Sequence, residues 1–134
     1  MSTSGVQTDA TGPVVWVVSG DHWPRACLRA ELIERGYHAL GFETIADARS
    51  ALGEPDVPRP EAALVDLAGQ SHDPAGIATL ADLVRSIGPV VAVAGSIDAH
   101  SPELRALPWA SFLARPVSLG TLADAVSALR PLHH

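Results

Sequence analysis

The sequence predicts an α/β fold, a three-layer doubly wound (βα)5 domain around a five-stranded parallel sheet in the order 2-1-3-4-5. Three observations predict it. Short, unbroken apolar runs recur along the chain, the form of strands buried on both faces. Segments with apolar residues at helical spacing separate those runs. Gly, Pro or a capping residue marks almost every junction.

Val14-Val15-Trp16-Val17-Val18 is the first run, and it ends at Ser19-Gly20-Asp21. A helix is expected from about Pro24 to Arg35. Proline suits a first turn, Leu28 and Leu32 share a face, and Gly36 is a good stop. Tyr37 to Phe42 reads as a weaker strand at an edge, diluted by His38 and Gly41. Thr44 has the form of an N-cap with Asp47 at N3, and a short helix follows to Leu52 with Ile45, Ala48 and Leu52 on one side. Residues 53–60 hold three prolines in eight positions, which can neither pair as a central strand nor continue a helix, so they read as a surface connection.

The third run is Glu61-Ala62-Ala63-Leu64-Val65-Asp66-Leu67-Ala68-Gly69. Asp66 sits where this buried strand ends, the edge of an open parallel sheet at which ligands bind. Asp73-Pro74 opens another helix, with Ile77, Leu80, Val84 and Ile87 at helical spacing and Gly88 as its end. Pro89 to Gly95 is the fourth strand. Ser101-Pro102 caps a short helix containing Leu104 and Leu107. Ala110 to Ala114 is the fifth strand, closed by Arg115-Pro116. Ser118 caps the last helix, where Leu119, Leu122, Val126 and Leu129 form an apolar stripe.

Right-handed crossovers leave few arrangements of five such units, and the flavodoxin-like order places strands 1 and 3 side by side. Ser19, Gly20 and Asp21 then lie beside Asp66. Ala94-Gly95 and Arg115-Pro116 close the ring from strands 4 and 5.

A chain of 134 residues is one ordinary domain. Residues 1–12 read as a disordered polar leader, 13–131 as the domain and 132–134 as a tail. The single Cys27 excludes an internal disulfide and a cysteine zinc site. A net charge of −6 argues against non-specific nucleic-acid binding, which needs a basic footprint. No stretch approaches the roughly 20 apolar residues of a membrane span, and the start lacks a signal-peptide pattern. A cytoplasmic protein is expected, with no membrane insertion.

On these residues the sequence resembles a response-regulator receiver domain, the phosphoacceptor module of two-component signalling with a CheY-like fold. The resemblance spans Val14 to Leu129. It rests on the five-unit layout, on Val65-Asp66 ending strand 3 and on Arg115-Pro116 ending strand 5. The passage from Arg115 to Leu122 is similar to the receiver's final strand-to-helix junction. The resemblance implies that Asp66 holds the phosphoacceptor position, with Phe112 as the aromatic that reports the switch.

The rest of the implied pocket departs from the family's pattern. The acidic pair that holds Mg²⁺ aligns with Ser19-Gly20, leaving Asp21 one place late. The hydroxyl residue that ends strand 4 is Ala94, and Arg115 replaces the lysine. Asp66 and Asp21 are the only metal candidates, and Mg²⁺ wants several hard oxygen ligands. No cofactor is therefore expected, with Mg²⁺ bound only if the pocket functions. An Arg115–Asp66 ion pair is expected in its place, since a guanidinium fork suits a carboxylate.

Other residues carry less. The histidines His22, His38, His72 and His100 form no ligand pattern and read as solvated. Trp109 is an interface candidate or a cover for the sheet end, and Trp23 a lid or a packing residue at a helix start. The expected function is a stand-alone, atypical receiver-like domain of a phosphorelay, not an enzyme, that works by contact with a signalling protein, either a histidine kinase or a downstream effector. Alternatives are a conventional receiver phosphorylated on Asp66 and a flavodoxin-like small-molecule-binding protein or enzyme. No nucleophile–base pair or cofactor loop supports the last.

Overall fold

The computed structural model describes residues 12–132. The leader expected at 1–12 and the last two histidines of the tail fall almost wholly outside the described residues. The strands are β1 (Val14–Val18), β2 (His38–Phe42), β3 (Ala62–Asp66), β4 (Val90–Ala94) and β5 (Ser111–Ala114). The helices are α1 (His22–Arg35), α2 (Ile45–Ala51), α3 (Pro74–Ser86), α4 (Pro102–Arg105) and α5 (Leu119–Leu129), with a 3-10 turn at Asp98–His100 before α4. All strand pairs are parallel, in the order β2-β1-β3-β4-β5.

Alternate residues of each strand serve opposite faces. Val15, Val17, Leu64, Val91 and Val93 pack with Leu28 and Leu32 of α1 and Ala123 and Val126 of α5. Trp16, Val18, Ala63, Val65 and Ala92 pack with α2, α3 and α4, through Ile45, Ala48, Leu80, Leu83 and Leu104. Each fully buried Leu or Val contributes roughly 1.5–3 kcal/mol relative to exposure. The central strands β3 and β4 are buried along their whole lengths, so their sequences carry no polar alternation.

Local chemistry sets the ends. The hydroxyls of Thr44, Ser101 and Ser118 and the carboxylate of Asp73 accept from backbone N–H groups at the starts of α2, α4, α5 and α3. Gly36 stops α1 with φ of 111°, where a side chain would be strained.

Several expectations need correction. Helix α1 begins at His22, two residues before Pro24, because proline fits anywhere within a first turn that has no internal N–H partners. Helix α4 spans only Pro102–Arg105, so Leu107 lies beyond it. Leu119 is 38% exposed and does not belong to the buried stripe of α5, where Ala123 is buried instead. Leu132, expected in the tail, is partly buried against the α1/α5 core.

Trp16 has a role that hydrophobic patterning does not reveal. Its ring is fully buried against Phe42, centroids 4.6 Å apart, and its Nε1–H donates to the Pro58 carbonyl at 3.1 Å. The proline-rich connection is thereby pinned to the centre of the sheet.

Candidate functional site: a carboxylate held by a guanidinium

Asp66 is 4% exposed at the C-terminal end of β3. It arrives there because β3 is apolar up to this residue and the chain then turns, with Gly69 at a φ of 77°. The loop closes on it: the Ala68 N–H donates to Oδ1 at 3.1 Å. Arg115 follows β5, its own N–H bonded to the Ala94 carbonyl at 2.8 Å, and the Arg115–Pro116 peptide is cis. Its Nη1 donates to Asp66 Oδ1 at 2.9 Å and its Nη2 to Oδ2 at 2.6 Å. This is a fork-to-fork contact, the strong form of a charge-assisted pair. The hydrogen bonds that Arg115 donates to Asp66 raise its pKa above the ordinary guanidinium value. Burial opposes that shift, and the charges of Asp66 and Asp21 add to it.

Ser19 is buried at 2% exposure, and its Oγ makes a long 3.5 Å contact with Asp66 Oδ2. The Ser19 carbonyl accepts from Arg25 Nη1 at 2.6 Å. Gly20 is half-buried beside it. Asp21 is exposed and stands as the N-cap of α1 without a side-chain cap bond, so its carboxylate faces solvent and the Arg115 field. Ala94 is fully buried at the end of β4 and Gly95 half-buried after it. Pro116 is exposed. Ser96, the hydroxyl next in sequence after Ala94 and Gly95, is exposed and lines a cleft together with Arg115.

Phe112 is half-buried, with the Arg105 guanidinium 4.7 Å above its ring and Trp109 edge-on at 6.2 Å. Trp109 is itself half-buried, and its Nε1–H donates to the Leu104 carbonyl at 2.7 Å, so the indole braces α4 against β5. Trp23 is 75% exposed, edge-on to His22, and covers nothing.

His72 differs from the solvated reading. Its Nε2 is 2.9 Å from the Leu67 carbonyl and its Nδ1 is 3.5 Å from Asp98, so it ties the loop after β3 to the 3-10 turn after β4. Gln70 ties the same loop to α2, donating to the Glu43 carbonyl and accepting from the Ile45 N–H, each at 3.1 Å. Arg25 and Gln70 escape sequence reasoning because their partners are backbone groups, and Ala68 because it acts through its own backbone N–H; neither has a residue signature. For Arg25 the one available signal is its place one turn after Asp21.

No family model and no curated protein matches the sequence. Solved structures do match. A response regulator receiver protein from Burkholderia phymatum is 19% identical with a TM-score of 0.70, covering 87% of this chain and 94% of its own. A response regulator receiver protein from Pseudomonas putida is 26% identical with a TM-score of 0.67, covering 89% of this chain and 98% of its own. The signal receiver domain of a modulated diguanylate cyclase from Desulfovibrio desulfuricans G20 is 26% identical with a TM-score of 0.67, covering 88% of this chain and 93% of its own. The fold is that of response-regulator receiver domains.

That fold implies Mg²⁺, and the donor set here does not fit it. Both oxygens of Asp66 already face one guanidinium. The residues aligned with the acidic pair, Ser19 and Gly20, offer no carboxylate, and the Ser19 carbonyl is bonded to a second guanidinium, that of Arg25. Among the described residues no group of three or more His, Cys, Asp or Glu converges to hold a metal ion. A dication in this place would have to displace two arginines with one firm anionic ligand in return.

Proposed function

We propose that this chain is a receiver-type module of two-component signal transduction in which an internal ion pair replaces the metal-dependent phosphoryl switch. It acts by contact with a signalling protein, a histidine kinase or a downstream effector, without accepting a phosphoryl group. The observation that supports this reading is the bidentate Arg115–Asp66 contact, at 2.9 and 2.6 Å.

Attack on a phosphoryl group needs a carboxylate oxygen with a free lone pair aimed outward and cations on the transferred oxygens. Each Asp66 oxygen here accepts a charged N–H, which lowers its nucleophilicity and fills its approach. The guanidinium supplies charge, but it supplies it to the ground-state carboxylate, which favours the unreacted state. The same contact ties the end of β3 to the end of β5 and holds one conformation.

Incubation with acetyl phosphate and Mg²⁺, read by intact mass, tests the proposal. The expected result is no acid-stable, base-labile phosphoryl adduct, together with partner binding that survives in Asp66→Ala. A stoichiometric adduct that is lost in Asp66→Ala would make the chain a conventional phosphoacceptor instead.

A further inference from the structure

Beyond the Asp66 pocket, an open cleft of about 460 Å³ lies between the β4–α4 connection and the end of β5. Ser96, Ala99, His100, Arg105, Ala114 and Arg115 line it. None of these side chains is acidic, and four carry hydrogen-bond donors. Arg115 uses one N–H on each terminal nitrogen for Asp66, which leaves three of its five N–H groups free, on a side chain that is 36% exposed. Arg105 is held in place from two sides. Its Nη1 donates to the Ala99 carbonyl at 2.9 Å, and its plane lies over Phe112. Among the described residues Arg105 has no carboxylate partner, so its charge is uncompensated at the cleft wall. Asp98, the acid nearest in sequence to the lining, is turned toward His72.

We propose that this cleft binds a phosphate monoester. The donors stand on separate elements: Ser96 on the loop after β4, His100 on the 3-10 turn, Arg105 on α4 and Arg115 after β5. A tetrahedral group with three terminal oxygens meets more of them than a planar carboxylate with two. The cleft is also larger than a bare phosphate, and Ala99 and Ala114 give the organic part a short apolar floor. Binding here is non-covalent and does not depend on whether Asp66 accepts a phosphoryl group.

Amide NMR titrations at constant ionic strength test this with inorganic phosphate, O-phosphoserine, serine and a short phosphoserine peptide. Saturable shifts are expected at Ser96, Ala99, His100, Arg105 and Ala114, with phosphoserine tighter than phosphate and serine silent. A peptide that binds tighter than phosphoserine points to a phosphorylated protein, and equal binding points to a small ester; both support the site. Arg105→Gln loses a charge-assisted contact and is expected to weaken binding by about tenfold or more. Ser96→Glu, at an exposed position, is expected to abolish it. Linear, non-saturating shifts would overturn the proposal. So would shifts centred on Ser19 and Ala68, or unchanged affinity in both variants.

Discussion

Asp66 and Arg115 meet across a third strand. Asp66 ends β3 and Arg115 follows β5, with β4 lying between them in the sheet. The bond from the Arg115 N–H to the Ala94 carbonyl sets the arginine backbone level with the end of β4, and from there the long side chain reaches back to both oxygens of Asp66. The two partners are unequally buried: the Asp66 side chain is 6% exposed and that of Arg115 36%.

That inequality predicts an asymmetric response to mutation. Arg115→Met strands a buried carboxylate, and breaking a buried pair in this way costs about 3–5 kcal/mol. Asp66→Asn leaves a guanidinium that can turn to water while the Ser19 and Ala68 contacts find a neutral acceptor, so its cost should be about 1–2 kcal/mol. Urea unfolding midpoints of the two variants check the order, and Asp66→Asn proving the more damaging would contradict it.

Restoring donors should restore a metal site. Ser19 Oγ lies 3.5 Å from Asp66 Oδ2, so a carboxylate at position 19 stands next to the first one. In the double variant Ser19→Asp/Arg115→Lys, the fork is gone and a second hard ligand is present. We expect saturable Mg²⁺-dependent shifts of the Ala68 amide in that protein and none in the wild type.

Tyr37 is 1% exposed, and its hydroxyl donates to the Arg130 carbonyl at 2.5 Å, tying the α1–β2 turn to the end of α5. Tyr37→Phe removes the donor and leaves the ring packing intact. A loss of about 1 kcal/mol is expected from chemical denaturation.

Glu61 should show a small acid-side dependence. The hydrogen bond from Arg130 lowers its pKa below the ordinary 4.5, against a burial effect that raises it, with the Arg130 charge and a backbone bond to Val14 assisting. The folded state then binds fewer protons than the unfolded one as pH falls through this range. The Glu61–Arg130 contribution is therefore complete above the unfolded value and lost as pH falls through the folded one. An NMR titration of the Glu61 carboxyl should give a midpoint below 4.5 that returns to about that value in Arg130→Gln.

Much of the fold is legible in the sequence, and the reasons are physical. The strands are buried on both faces, so Val14–Val18, Ala62–Asp66 and Val90–Ala94 stand out as plain apolar runs. Thr44, Asp73, Ser101 and Ser118 announce helix starts because a cap bond is local. Asp66 and Arg115 could be placed on one edge because parallel strands all end there. Contacts that join a side chain to distant backbone were not legible: Trp16 with Pro58, Arg25 with Ser19, His72 with Leu67. Their partners are peptide groups that every residue carries. The exposure of Leu119 is not legible for another reason: it is the first residue of α5, and helical spacing alone does not say where along a helix the buried stripe begins.

The central claim is that Arg115 holds Asp66 in the place a metal would take. A crystal structure of the wild-type protein grown in millimolar Mg²⁺ tests it most directly. The guanidinium is expected to remain forked onto both carboxylate oxygens. An octahedral ion bound by Asp66 and Asp21, with Arg115 swung out to solvent, would contradict it.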